Sequence, residues 1–126
     1  MIDIFTTGGT IDKVYFDASS QFEVGDSLLP DLLAESNIHD GYRIHEVLRK
    51  DSLDMTEDDR DRIFDAVAGC EGQRILITHG TDTMAETAER LASLADRIIV
   101  LFGAMQPARM RRTNALFNLG FAWSAV

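Results

Sequence analysis

The sequence predicts an α/β domain, a three-layer sandwich with a mostly parallel sheet between two layers of helices. Short apolar runs alternate along the 126 residues with segments whose apolar residues follow helical spacing. The run at 73–78 is apolar on successive residues, which is typical of a strand that helices cover on both faces. The length and the hydrophobic fraction of 45% suit one soluble globular domain, residues 1–126.

The chain begins with a predicted strand, a loop and a short helix. Ile2–Thr7 is an apolar and β-branched run that ends at Gly8-Gly9, so it indicates a buried strand that enters a tight loop. Residues 13–25 are polar and interrupted, which predicts a mobile loop. The leucines between 28 and 33 follow helical spacing and predict the helix after that loop.

The remaining elements continue the alternation of strands and helices. They are a strand at 44–48, a helix capped by Thr56, a strand at 73–78, a helix at 83–94, a strand at 97–102 and a helix at 109–125. Strands that alternate with helices pair in parallel through right-handed crossovers, as in Rossmann-like or flavodoxin-like domains. Ligands of such sheets bind beyond the carboxyl ends of the strands.

Charge and cysteine content limit the expected partners and compartment. The net charge of −9 repels polyanions, so no nucleic-acid partner is expected. Cys70 is the single cysteine and has no His or Cys at a zinc-type spacing, so we expect an unreactive thiol, no metal site and a reducing cytoplasm. No apolar stretch approaches the roughly 18 residues of a membrane span, so no membrane association is expected.

Hydroxyl side chains follow the predicted strands, where ligands should bind. Thr10 follows the first strand, Ser52 the second, and Thr81-Asp82 the third. Each has a structural alternative, because Thr10 and Ser52 could be turn residues and Asp82 could be a helix N-cap. A lone hydroxyl is also a weak nucleophile unless a base accepts its proton. Hydroxyls that converge from several strand ends nevertheless favour a reaction site over isolated turns.

Four segments together resemble the motifs of the L-asparaginase family. They are Thr-Gly-Gly-Thr-Ile at 7–11, Asp-Ser-Leu-Asp-Met at 51–55, His-Gly-Thr-Asp-Thr-Met at 79–84 and Gly-Ala-Met-Gln-Pro at 103–107. They occur in the family's order over nearly the whole chain, and the six-residue segment is highly specific. The resemblance implies an amidohydrolase that converts L-asparagine to L-aspartate and ammonia, with L-glutamine as a lesser substrate. It implies no metal and no organic cofactor.

The resemblance also implies roles for individual residues. Thr10 would attack the side-chain amide carbon to form an acyl-enzyme, and Thr81 would be the second catalytic hydroxyl. Ser52 would bind the α-carboxylate of the substrate and Asp82 its α-ammonium group, which is a favourable charge pairing. Two glycines would supply close-approach backbone beside these hydroxyls, Gly9 and Gly80.

Several positions depart from the family pattern. Leu53 stands where a polar residue is usual, Gln106 replaces an arginine, and Asn114 replaces an aspartate. Tyr15 is the candidate for the catalytic tyrosine of the family's mobile loop, although it lies closer to Thr10 than usual and Phe22 stands nearer the usual place. The alternative is that Tyr15 is a structural tyrosine of the surface or the core. These departures put side-chain selectivity and the identity of the tyrosine in doubt.

The length leaves two further functions open. Family members continue through a strand with a catalytic lysine and a second domain, so the chain is expected to be a fragment or a short relative. One alternative is an ammonia-releasing subunit of a tRNA-dependent amidotransferase, and the other is an inactive domain that binds amino acids. A homo-oligomer is also expected, because three apolar residues near the chain end look exposed, Phe121, Trp123 and Val126.

Overall fold

The computed structural model describes residues 1–15 and 22–126, with the exception of the side chains of Tyr15 and Phe22. The elements are, in chain order, β1 (Ile2–Gly8), β2 (Lys13–Tyr15), β3 (Phe22–Val24), α1 (Leu29–Glu35), β4 (Tyr42–Lys50), α2 (Glu57–Ala68), β5 (Arg74–Thr78), α3 (Met84–Leu91), β6 (Ile98–Phe102) and α4 (Ala115–Ala125). Two short 3-10 helices, Thr10–Asp12 and Ser52–Asp54, follow β1 and β4.

The main sheet has four parallel strands in the order β4-β1-β5-β6. β1 therefore lies inside the sheet, and its Ile4 pairs with Ile44 of β4 on one side and with Leu76 of β5 on the other. The predicted α/β sandwich with a mostly parallel sheet is confirmed. The third predicted strand, β5, lies directly beside the first, β1.

The two faces of β1 build two separate hydrophobic layers. Ile4 belongs to the cluster that contains Leu33 of α1 and Leu119 of α4. Its neighbour Phe5 points the other way, into the cluster with Ile63 of α2. Because successive side chains of a strand alternate between faces, the largely apolar run of β1 serves both layers at once.

α2 begins at the predicted cap residue Thr56, which forms a capping box with Asp59. The Thr56 side chain accepts a hydrogen bond from the Asp59 backbone N–H at 3.2 Å, and the Asp59 carboxylate accepts one from the Thr56 N–H at 2.9 Å. These two bonds satisfy N–H groups that a helix start otherwise leaves unpaired. The helix is therefore fixed directly after the loop that contains Ser52.

The last helix begins later than residue 109, so that part of the prediction was wrong. α4 starts at Ala115, because the preceding residues form turns that are bonded to neighbouring segments. The Ala108 N–H donates to the Ile11 carbonyl at 2.9 Å, and the Thr113 hydroxyl donates to the Gln106 carbonyl at 2.9 Å. These bonds hold the segment before α4 in its turn conformation.

The expected loop at 13–25 contains a two-stranded antiparallel sheet instead. β2 pairs with β3, with Lys13 opposite Val24. Residues 16–21 of the expected mobile loop lie outside the described residues.

The expectation of three exposed apolar residues at the chain end was correct only in part. Phe121 is exposed and stacks on the exposed Phe117 at 6.2 Å between ring centroids. Val126 is buried, and the half-buried Trp123 packs edge-on against Tyr42. None of the described helices has the length and apolar character to cross a membrane.

Candidate active site

The loops after β1 and β5 are in direct backbone contact through two glycines. Gly9 has a φ of +88°, and a Cβ atom built on it would lie 2.5 Å from the Gly80 nitrogen. Only glycine satisfies both the positive φ and this close approach. Because Thr10 and Thr81 directly follow these two glycines, the contact brings both predicted catalytic threonines to the same edge of the sheet.

The loop after β4 packs against the same pair. A Cβ atom on Gly80 would lie 2.5 Å from the Ser52 Oγ, so this hydroxyl lies against the Gly80 backbone. Ser52 is only 1% exposed, and among the described residues its Oγ has no hydrogen-bond partner. The Thr83 hydroxyl donates to the Ser52 carbonyl at 3.0 Å and links this loop to the start of α3. Three strand-end loops thus meet, as the sequence predicts.

Thr10 lies in a tightly bonded turn. The Gly9 N–H donates to the Lys50 carbonyl at 2.9 Å, and the Gly9 carbonyl accepts from the Asp12 N–H at 3.1 Å. Thr10 is the first residue of the 3-10 helix between them, and it is partly exposed. The turn therefore holds the Thr10 backbone while its side chain remains accessible.

Thr81 and Asp82 are both exposed at the rim. The Thr81 hydroxyl contacts the Met105 sulfur at 3.7 Å, a weak interaction. α3 starts at Met84 with Thr83 in the cap position, so Asp82 is not its N-cap. The carboxylate of Asp82 makes no hydrogen bond or ion pair with another described residue, which leaves its charge available to a ligand.

A buried histidine, which sequence reasoning did not assign, supports the turn at Gly80. The His79 ring lies between the Gly80 carbonyl and the Thr87 hydroxyl, with both contacts at 2.7 Å. Burial lowers the pKa of His79, so its ring is neutral at physiological pH. Because a neutral ring has one donor and one acceptor nitrogen, it can donate to the Gly80 carbonyl and accept from Thr87.

Asp12 is a buried acid two residues after Thr10 that sequence reasoning also missed. Its Oδ1 accepts from the Ser27 hydroxyl at 3.1 Å and from the Leu28 N–H at 3.3 Å. Burial raises its pKa to about 6, more than these hydrogen bonds lower it. The sequence signal that could have identified Asp12 is its position directly after the first motif, residues 7–11. The residue ties the turn at Thr10 to the segment that begins α1.

The two lysines of the chain are both engaged in ion pairs near this edge. Lys13 binds Asp51 and Lys50 binds Asp59, each at 2.7 Å. The hydrogen bond from Lys13 lowers the pKa of Asp51, as does a second one from the Leu53 N–H. Leu53 itself is 72% exposed. The side chain of Tyr15, the predicted loop tyrosine, lies outside the described residues.

The arrangement suits a small zwitterionic ligand better than an apolar one. It combines accessible threonines, a buried unpaired hydroxyl and an exposed carboxylate within three adjoining loops. A cavity of about 370 Å³ beside Thr81 is lined mainly by apolar residues of β6 and α4, among them Phe117 and Phe121. The polar side chains in its lining are Thr81 and Asn118, and neither is charged, so the glycine-linked loops with Asp82 form the better candidate site for an amino acid.

Comparison with known proteins gives two curated relatives of similar identity. The chain is 32% identical to the "Probable L-asparaginase periplasmic" of Haemophilus influenzae, over 94% of this chain and 36% of the relative. It is 30% identical to a glutamyl-tRNA(Gln) amidotransferase component of Thermoplasma acidophilum, over 96% of this chain and 32% of that protein. The chain thus spans about a third of the length of these relatives.

Solved structures and a family model agree with these relatives. The fold matches the thermostable L-asparaginase from Thermococcus kodakarensis with a TM-score of 0.77 and 29% identity, over 98% of this chain and 39% of that one. It matches a probable cytoplasmic L-asparaginase from Campylobacter jejuni with a TM-score of 0.75 and 30% identity, over 96% and 40% of the two chains. The family model described as "Asparaginase, N-terminal" matches residues 1–126. The chain therefore belongs to the asparaginase family, in the part that corresponds to the family's N-terminal domain.

Proposed function

We propose that this chain is the N-terminal catalytic domain of an amidohydrolase that converts L-asparagine to L-aspartate and ammonia, with Thr10 as the nucleophile. The observation that supports this most is the backbone contact between Gly9 and Gly80, which places two threonines at one edge of the sheet. L-Glutamine is a lesser substrate in this proposal. The polar character of the three loops suits either amino acid.

The proposed reaction has two steps. The Thr10 hydroxyl attacks the carboxamide carbon, its proton passes to the leaving nitrogen, and the C–N bond breaks to release ammonia. Water then attacks the resulting ester, which releases L-aspartate and restores the hydroxyl. Thr81 positions or activates this water. We assign a supporting hydroxyl to Tyr15, which lies in β2 directly after the nucleophile turn.

We assign the α-carboxylate of the substrate to Ser52 and the α-ammonium to Asp82. A buried hydroxyl without a partner costs about 1–3 kcal/mol, and a carboxylate oxygen would remove that cost. The exposed charge of Asp82 supplies the ionic counterpart. In this proposal the two groups fix the orientation of the amino acid and leave its amide to Thr10.

The same proposal includes an oligomeric state and a cellular compartment for the protein. The exposed, stacked rings of Phe117 and Phe121 are an apolar surface that a second copy would cover, so we propose a homo-oligomer. We place the protein in the cytoplasm because its only cysteine is a free thiol. Sedimentation and cell fractionation test these two assignments.

One alternative is favoured by a specific observation, the 30% identity to an amidotransferase component. Such a component would release ammonia for a partner enzyme rather than act alone. A domain that binds amino acids without turnover is the second alternative, and the exposed Leu53 in the motif loop favours it.

Ammonia release measured with a coupled assay separates the three functions. The assay uses this chain and the full open reading frame, each with L-asparagine and with L-glutamine. A hydrolase releases ammonia alone, an amidotransferase component requires its partner, and a binding domain shows only a thermal shift with L-aspartate. Thr10→Val should abolish turnover, whereas Thr113→Val is the matched control, because the Thr113 hydroxyl only bonds the backbone of its own turn. Turnover by Thr10→Val would contradict the proposed nucleophile.

A further inference from the structure

A second cluster of reactive side chains lies at the opposite end of the sheet from the glycine contact. Asp3 comes from the start of β1, His45 from β4, and Cys70 from the turn after α2. One carboxylate oxygen, one ring nitrogen and the sulfur all lie within 4.8 Å of one another. Spacing along the chain could not predict this cluster, because its members come from three distant segments.

The surroundings hold each of these atoms in place. Asp3 is fully buried, and its Oδ1 lies 2.8 Å from the His45 Nε2. The His45 ring stacks on Phe5 with centroids 4.7 Å apart and an angle of 18° between the planes, which fixes its orientation. The Gly72 N–H donates to the Cys70 sulfur at 3.3 Å. Burial and the neighbouring Asp3 carboxylate raise the pKa of the Cys70 thiol more than this bond lowers it, so a metal ion that binds the sulfur has to displace its proton.

We propose that Asp3, His45 and Cys70 form a binding site for a divalent transition-metal ion, of which Zn²⁺ fits best. Carboxylate oxygen, imidazole nitrogen and thiolate sulfur are the three protein ligand types of zinc. Zinc bonds of about 2.0–2.3 Å place tetrahedral ligands roughly 3.4–3.8 Å apart. The Asp3 Oδ1–His45 Nε2 pair, at 2.8 Å, therefore has to open slightly, and the widest pair has to close by about 1 Å at most. An open cavity of about 390 Å³, which His45 and Cys70 line, gives solvent access for a fourth ligand.

The charges of the cluster favour a dication. One carboxylate and one thiolate together neutralise the charge of a divalent ion. On binding, the ion displaces the protons that the side chains of Asp3, His45 and Cys70 share in its absence. Arg43 is the competitor, since its guanidinium donates to both oxygens of Asp3 at 2.9 and 3.1 Å. Its side chain is 52% exposed, so it can move outward or keep one oxygen while the ion takes the other.

An ion at this site would connect β1, β4 and the turn between α2 and β5. It would have no role in the proposed amide hydrolysis. The inference therefore does not rest on the proposed amidohydrolase activity. An ion that binds the folded state alone stabilises that state. We expect Zn²⁺ to raise the melting temperature of the chain and to have no direct effect on the Thr10 chemistry.

Cobalt(II) is the probe, because its thiolate complexes absorb in the near ultraviolet and Cys70 is the only cysteine of the chain. Titration should give a thiolate-to-cobalt band that saturates at one equivalent and that Zn²⁺ abolishes. Cys70→Ser should remove the band, and His45→Gln should weaken cobalt binding at least about tenfold. His39→Gln is the matched control, since His39 is exposed and contacts only Asn37 among the described residues.

Arg43→Gln adds a test of the competition, because removal of the guanidinium should strengthen cobalt binding. Circular dichroism checks that each variant is folded. The absence of a band in the wild-type chain would overturn the proposal, as would a band that His45→Gln leaves at full affinity. A rise in melting temperature with Zn²⁺ that persists in folded Cys70→Ser would place the metal elsewhere and would equally overturn it.

Discussion

Replacement of Asp12 by asparagine should make the domain more stable at neutral pH. Burial raises the pKa of Asp12 from 3.8 to about 6 in the folded chain. Between these values the unfolded chain loses the proton first, so the folded state binds more protons and stability falls as the pH rises. The free energy of unfolding is therefore lower by about 3 kcal/mol once the pH is well above 6. Asparagine keeps the acceptor oxygen for Ser27 and Leu28 and removes the charge.

Urea denaturation of wild type and Asp12→Asn between about pH 4 and pH 8 measures this difference. The difference in the free energy of unfolding between the two proteins should be smallest near pH 4, and it should grow by about 2–3 kcal/mol in favour of the variant by pH 8. Asp51→Asn is the opposite control, since the pKa of Asp51 is lowered and its charge stabilises the fold above that pKa. A constant difference between wild type and Asp12→Asn at all pH values would refute the reasoning.

The remaining predictions concern the three loops of the candidate site and the apolar surface on α4. Thr10→Val should abolish ammonia release yet leave L-aspartate binding and the melting temperature nearly unchanged, as coupled assay, calorimetry and thermal melts would show. Asp82→Asn should weaken L-aspartate binding by about 1–3 kcal/mol, and unchanged affinity by calorimetry would contradict its assignment to the ammonium group. Gly9→Ala should cost at least about 1–3 kcal/mol in urea denaturation, because it forces a side chain into a positive φ against the Gly80 backbone. Phe121→Ser should reduce self-association in sedimentation, and an unchanged distribution would place the interface elsewhere.

The sheet and its reactive edge could be predicted because both depend on local patterns. The apolar run of β1, the Gly8-Gly9 stop and the alternation with helices suffice to put Thr10 at a strand end. The contact of Gly9 with Gly80 follows from the adjacency of β1 and β5, a strand order that the alternation alone does not determine.

Other features depend on contacts between distant residues and could not be predicted. β2 and β3 are three residues each, too short for a clear periodicity, and their strand character comes from pairing with each other. The late start of α4 results from bonds of the preceding turns to Ile11 and Gln106. The burial of Asp12 depends on Ser27 and Leu28, which the local sequence around Thr10 does not include.

The central position of β1 has a consequence for the way the chain folds. β1 is synthesised before both of its partners, because β4 and β5 lie much later in the sequence, with Ile4 paired to Ile44 and Leu76. A nascent chain therefore carries this largely apolar strand without a partner until β4 has been synthesised, and with one open edge until β5 has been synthesised. Non-local parallel pairing of this kind is slow and exposes strand edges to aggregation. The docking of β5 beside β1 should accordingly be a late, cooperative step of refolding. The Gly9–Gly80 contact should form only in that step.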